Sequence, residues 1–221
     1  MQWSAERWQS SFRGVPAHPA GLTSSRIDLR VQAIDFASRG WSVLPGTFPR
    51  DGEWLGRRGR RLHGPTPVRA DWQDGLGADL HEVLAWWDEH PYNLLLATGF
   101  QAEAIEVDIA IGRRAAKALR AGGFPVPIVA TPTGSWFFLM SPGGRLNGEL
   151  AEQSGIRLHS KGSWVPLPPS VYPGGAVHWR VKPDVCAWQL PSPEFVQDAL
   201  RTAIEIDDQP ENVAEVLAAS R

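Results

Sequence analysis

The chain has 221 residues, of which 43 % are hydrophobic and 21 % charged, a balance that fits a folded domain and excludes a disordered one. Its 22 Lys and Arg against 24 Asp and Glu exclude a global positive field, so any nucleic-acid contact has to come from a local basic patch. One cysteine, Cys186, excludes an internal disulfide or a cysteine zinc site and points to a reducing, cytoplasmic setting.

Met1–Arg13 lacks the continuous apolar core of a secretory signal. No stretch approaches the roughly 18 apolar residues of a membrane span. Eleven tryptophans are many for this length; their main expected use is core filling, with a few open to stacking on bases. Nineteen prolines and 22 glycines predict many turns and short strands.

In chain order, residues 1–22 are expected as a poorly ordered N-terminal extension, 23–190 as the main domain and 191–221 as a C-terminal helical tail. Thr23–Ser25 are N-cap residues for a helix with Ile27, Val31, Ile34, Phe36 and Ala37 at helical spacing, stopped at Gly40. Trp41–Leu44 is a short strand ended by Pro45–Gly46. Residues 46–78 are expected as a long loop. Arg57, Arg58, Arg60 and Arg61 cluster there, between Arg50 and Arg69, either as a solvated run or as a clamp for phosphates in nucleic acid. Asp79 caps a helix to His90, with Leu80, Val83, Leu84 and Trp87 on one face and Pro91 beyond its end.

Two apolar runs, Asn93–Ala97 and Ala104–Ile109, predict buried neighbouring strands. Arg113–Arg120 is a helix closed by Gly122–Gly123. Ile128–Thr131 and Trp136–Met140 flank the turn Pro132–Ser135. Ile156–His159 and Trp164–Leu167 predict a hairpin around Lys161–Gly162, and Val177–Val181 a further strand. Helices follow at Pro193–Ile206 and about Pro210–Ala219. The fold class is α+β, with a mixed, mostly antiparallel sheet and flanking helices.

Three segments carry candidate chemistry. Glu106 and Asp108 stand two apart on a strand, so both carboxylates project to one face and can hold a divalent cation that organises phosphates; the same pattern fits an exposed edge pair. The turn at Thr131, Thr133, Gly134 and Ser135 offers hydroxyls and backbone N–H groups to an anion, or is an ordinary turn. Arg157 and His159 share one face, with Lys161 just beyond. These suit phosphate, whereas a permanent guanidinium charge does not suit coordination of a cation. Pro168–Pro169–Ser170 reads as turn chemistry first. No Walker A loop, G-x-G-x-x-G, G-x-S-x-G or HExxH spacing is found.

Taken together, from about Arg30 to Arg180, these segments resemble the N-terminal prim-pol domain of bifunctional DNA primase/polymerases, in the archaeo-eukaryotic primase superfamily. The matching blocks are Gly40–Pro45, Asp79 with Trp86–Trp87, Pro91, Asn93 and Ala97–Thr98–Gly99, then Glu106–Val107–Asp108, Thr131–Ser135, Arg157–Leu158–His159, Pro168–Ser170 and His178–Trp179. The resemblance implies an RRM-like core and a site where three acidic side chains bind metal ions for nucleotidyl transfer. Here those positions are Glu106, Asp108 and Arg157. The family's nucleotide-contacting histidine falls at Phe137, and its arginine two places past the third acid at His159. Replacing a carboxylate by a guanidinium changes local charge by two units, each worth about 4 kcal/mol at ~4 Å with an effective dielectric near 20.

The expected function is therefore a catalytically degenerate domain that binds nucleotide or nucleic acid, with Thr133, Gly134, Ser135, Arg157, His159 and Lys161 as phosphate contacts. One alternative is an active, divergent primase/polymerase using Mg2+ or Mn2+ on Glu106 and Asp108. Another is a scaffold or regulatory interaction module.

Overall fold

A computed structural model describes residues 26–57, 64–88 and 90–205. The expected N-terminal extension, the Thr23–Ser25 cap, Arg58, Arg60, Arg61 and the Pro210–Ala219 helix lie outside the described residues. In the remainder, helices flank antiparallel sheets, as the α+β reading expects. Among the described residues, no helix is long and apolar enough to cross a membrane.

The first helix, α1 (Arg26–Ser38), buries Leu29, Ala33 and Phe36, a stripe spaced four and three residues apart. This corrects the expected face. Ile27 and Val31 point outward, 68 % and 54 % exposed, because the stripe that meets the core is rotated toward Leu29 and Ala33. Strand β1 (Val43–Gly46) includes Pro45 and Gly46 rather than stopping before them. Pro45 is tolerated because β1 is an edge strand, where a missing N–H costs no ladder bond.

The expected long loop carries structure of its own, a hairpin of β2 (Phe48–Arg50) and β3 (Glu53–Leu55) followed by a 3-10 turn at Trp72–Gly75. Asp79 caps α2 (Leu80–Trp86), its Oδ1 accepting from His81 N at 2.8 Å and Glu82 N at 2.9 Å. The helix ends four residues before His90. Trp87, fully buried, donates its indole N–H to Tyr92 O at 2.7 Å, so the aromatic is seated without leaving a donor unpaired.

Strands β4 (Asn93–Ala97) and β5 (Glu103–Asp108) are both buried but are not neighbours, contrary to the sequence reading. A three-stranded sheet runs β1-β4-β9, with β9 at Trp164–Leu167. A five-stranded sheet runs β12-β6-β7-β5-β8, with β6 at Ile128–Ala130, β7 at Ser135–Met140, β8 at Arg157–His159 and β12 at His178–Val181. All these pairings are antiparallel. The β6–β7 hairpin forms as expected, but β8 and β9 do not pair with each other; one joins β5 and the other β4. The chain returns to the five-stranded sheet at β12 after β9, and earlier it crosses directly between the two sheets, once after β4 and once, in the opposite direction, after β8.

Those crossings are locked together. Thr98 donates its N–H to Ser163 O at 3.0 Å and its hydroxyl to Ser160 O at 2.6 Å. Gly99 has φ +93° and lies so close to the second crossing that an added Cβ would fall 2.3 Å from Lys161 Cα. Only glycine meets both demands. Two side chains fasten the three-stranded sheet to the segment after β9. Asn93 bonds both backbone groups of Val171 at 2.8 and 2.9 Å, and the Ser170 hydroxyl bonds both backbone groups of Leu94 at 2.8 and 2.9 Å.

Alternation along β5 and β7 separates two cores. Ala104, Phe137 and Leu139 face a cluster with Val43, Leu94, Leu96, Val165 and the inner residues of α1 and α2. Ile105, Val107, Trp136, Phe138 and Met140 face α3 (Ile109–Ala121) and α5 (Pro193–Glu205). Gly112 lets α3 lie against the Trp136 ring, where a Cβ would approach within 2.8 Å. Helix α5, within the stretch expected as a tail, buries Val196, Leu200 and Ala203 in this second core. A short helix, α4 (Gly148–Glu152), is capped by Asn147. Of the eleven tryptophans, Trp3 and Trp8 lie outside the described residues, and the other nine are buried or half-buried, as core filling requires.

Candidate functional site

The register of the five-stranded sheet brings the candidate residues onto one face. Glu106 stands opposite Phe137 of β7 and Arg157 of β8, Asp108 opposite Ser135, and Ala104 opposite His159. Opposed residues of an antiparallel pair share a face, and the diagonal partner lies within reach of a long side chain. His159 is the diagonal partner of Glu106, and its Nε2 sits 2.9 Å from Glu106 Oε2.

Glu106 is 21 % exposed at its side chain and His159 12 %. The second ring nitrogen, Nδ1, is 2.9 Å from the Ser163 hydroxyl. With Nε2 against the carboxylate and Nδ1 against the Ser163 hydroxyl, the two contacts together fix the orientation of the ring. Ser163 is itself held by the Thr98 clamp, so the crossing between the sheets orients the imidazole. His159 packs edge-on against Phe137, centroids 5.5 Å apart. The His159 hydrogen bond holds the Glu106 carboxyl below its ordinary 4.5 against the opposing effect of burial, and the Ser135 hydroxyl and the charges of His159 and Arg157 add to the lowering.

Arg157 stands opposite Glu106 on the adjoining strand, where it can form an ion pair. The pair with Glu106 exists, but at 3.9 Å and with the Arg157 side chain 75 % exposed. The guanidinium therefore points largely to solvent and does not span both acids; His159 is the closer partner. Asp108 lies at the end of β5 and caps α3, its Oδ1 accepting from Ala110 N at 2.8 Å and Ile111 N at 2.9 Å.

The expected anion cradle at 131–135 closes on itself. Gly134 N–H donates to Thr131 O at 3.2 Å, Ser135 N–H to Thr131 Oγ1 at 3.1 Å, and the Thr131 and Thr133 hydroxyls are 2.9 Å apart. The N–H groups assigned to a ligand at Gly134 and Ser135 are thus used within the turn. Lys161 is exposed at the tip of the second crossing. Of the arginine cluster, only Arg57 is described, half-buried beyond β3. Flanking Arg69 is committed to Asp71 through two bonds of 3.0 and 2.7 Å.

The sequence reading missed Tyr172, on the ribbon of β10 (Val171–Tyr172) and β11 (Gly175–Ala176). Burial first, and the Glu106 charge second, push its phenol above the ordinary 10 and keep it protonated, and its ring packs against the core cluster that includes Phe137. Trp54 of β3 packs edge-on against it at 5.5 Å. No motif spacing pointed to Tyr172 or to Ser163; the fold alone delivers both.

The family model for bifunctional DNA primase/polymerase, N-terminal (Prim-Pol), matches residues 33–194, 162 of the chain's 221. The chain belongs to the Prim-Pol family. No curated protein matches it in sequence. The match runs past Arg180, where the resemblance read from the motifs ends, and takes in the start of α5. Within this Prim-Pol domain, Glu106, Asp108 and Arg157 share the strand face, and among the described residues no three His, Cys, Asp or Glu side chains cluster as a set able to hold a metal ion. Of the three positions that the resemblance implies for metal-binding acids, Glu106 and Asp108 each have one oxygen engaged within the protein and the third carries Arg157.

Proposed function

We propose that this Prim-Pol domain binds nucleotide or DNA at the Glu106–Arg157 face and does not extend a primer. The observation that carries the reading is the engagement of Glu106 by His159 at 2.9 Å, beside an arginine on the adjoining strand. A carboxylate with one oxygen already used as an internal acceptor has less left to offer a cation, and the fixed positive charge on the adjoining strand opposes one. The near-neutral chain agrees with a contact confined to one face rather than a long electrostatic track.

The test is incorporation of deoxynucleotides by the purified chain, on primed and unprimed templates, with magnesium and with manganese. No product, together with a nucleotide- or DNA-dependent rise in melting temperature, is the expected result. Clear incorporation that Asp108→Ala abolishes would overturn it in favour of a divergent nucleotidyltransferase with Mg2+ or Mn2+ on Glu106 and Asp108. Neither product nor any shift with nucleotide or single-stranded DNA would point instead to a protein-interaction module.

A further inference from the structure

Among the described residues, the groups on the site face divide into those already satisfied by a partner and one, on Arg157, that is not. Glu106 Oε2 meets His159 at 2.9 Å, and the Ser135 side chain helps to lower the same carboxyl. Asp108 Oδ1 receives two amide N–H groups at the start of α3, a terminus worth about half a positive charge. Arg157 differs. Its side chain is 75 % exposed, and its 3.9 Å approach to Glu106 is beyond hydrogen-bond length, so that pair leaves the guanidinium fork uncommitted.

Arg157 also has little freedom in where its backbone lies. It is paired to Glu106 on β5, and the far end of its three-residue strand is pinned through His159 to Ser163 and so to the Thr98 clamp. A planar fork presented from a fixed backbone suits two phosphate oxygens at once. Tyr172, kept protonated by burial and by Glu106, adds no competing charge.

We propose that Arg157 takes a phosphate group of a nucleotide or DNA strand directly, with no divalent cation between protein and ligand. The inference rests on the binding, non-polymerising reading above and adds the chemistry of the contact. The side chain standing where relatives carry a metal-binding acid then meets the anion itself.

Two probes separate the sources of phosphate: dATP, and a short single-stranded DNA with and without a 5′-phosphate. Each is titrated in EDTA and in excess magnesium chloride, by calorimetry or fluorescence anisotropy. The expected result is an affinity for at least one probe that differs less than about twofold between the two media, and that Arg157→Ala weakens about tenfold in EDTA. Arg157→Lys should recover part of the loss, because it keeps the charge and lacks the fork. Circular dichroism confirms folding of each variant. Binding that appears only with magnesium, or that Arg157→Ala leaves unchanged in EDTA, overturns this inference while the binding reading stands. Failure of both probes in both media overturns both.

Discussion

Two sets of polar side chains in this domain teach opposite lessons about motif residues. Asn93, Thr98 and Ser170 are fully buried, and each bonds backbone atoms of a distant segment. Glu106, Asp108, Arg157 and His159 lie at or near the surface of one sheet, and their bonds are to one another, to a nearby serine or to a helix start. The first set lies in blocks that carry the resemblance, yet its geometry is explained by folding alone. The second set includes Arg157 where the resemblance implies an acid, and the fold tolerates that charge because solvent reaches the side chain. A buried donor or acceptor left without a partner costs about 1–3 kcal/mol, whereas an exposed ion pair contributes about 0–1 kcal/mol. Similarity along the chain therefore reports architecture more strongly than chemistry.

The comparison can be broken most directly at Asn93. Asn93→Ala leaves both backbone groups of Val171 unpaired in a buried place, and a loss of about 4 kcal/mol is expected in urea unfolding. A loss under about 1 kcal/mol would mean that the stitch is dispensable. Gly99→Ala comes next, at about 3 kcal/mol, because the new methyl meets Lys161 backbone and the residue sits at positive φ. Its readout is the same unfolding midpoint, and a near-neutral value would show that the two crossings are not locked together.

Across the site face the expected effects shrink. Glu106→Gln keeps an acceptor and removes the charge, for about 1 kcal/mol at neutral pH. The sign of its pH dependence follows from the lowered carboxyl. The folded state binds that proton less readily than the unfolded chain, so the contribution is complete above the ordinary 4.5 and is lost as pH falls through the folded value. The gap between wild type and Glu106→Gln should close on acidification below about 4.5; a gap that widens there would reverse the assignment. Arg157→Ala should change stability by less than about 0.5 kcal/mol, since its side chain is 75 % exposed and its pair is long. A larger loss would place Arg157 among the structural residues and erase the contrast.

Much of the architecture was legible along the chain. Asp79 as a cap, the apolar run Asn93–Ala97, the β6–β7 hairpin and the extent of α5 all follow from local signals, a side chain bonding amides two or three residues on or a turn sequence between apolar runs. The shared face of Glu106 and Asp108 was legible for the same reason, because alternation on a strand is local. The face of α1 was not, since Ile27, Val31 and Leu29 are alike in hydrophobicity and only the position of the sheet selects Leu29.

By itself the sequence determined the class of fold, the strand carrying the two acids, and the presence of an arginine where an acid is expected. The tertiary structure decided which strands pair, and so sent β8 to β5 and β9 to β4 instead of to each other. It also decided that His159 rather than Arg157 holds Glu106, and it brought Tyr172 and Ser163 to the site. The physical reason is range. Caps, turns and alternation act over a few residues, whereas a hydrogen bond between residues 53 apart, such as that joining Glu106 and His159, exists only once β5 and β8 have paired and fixed the distance.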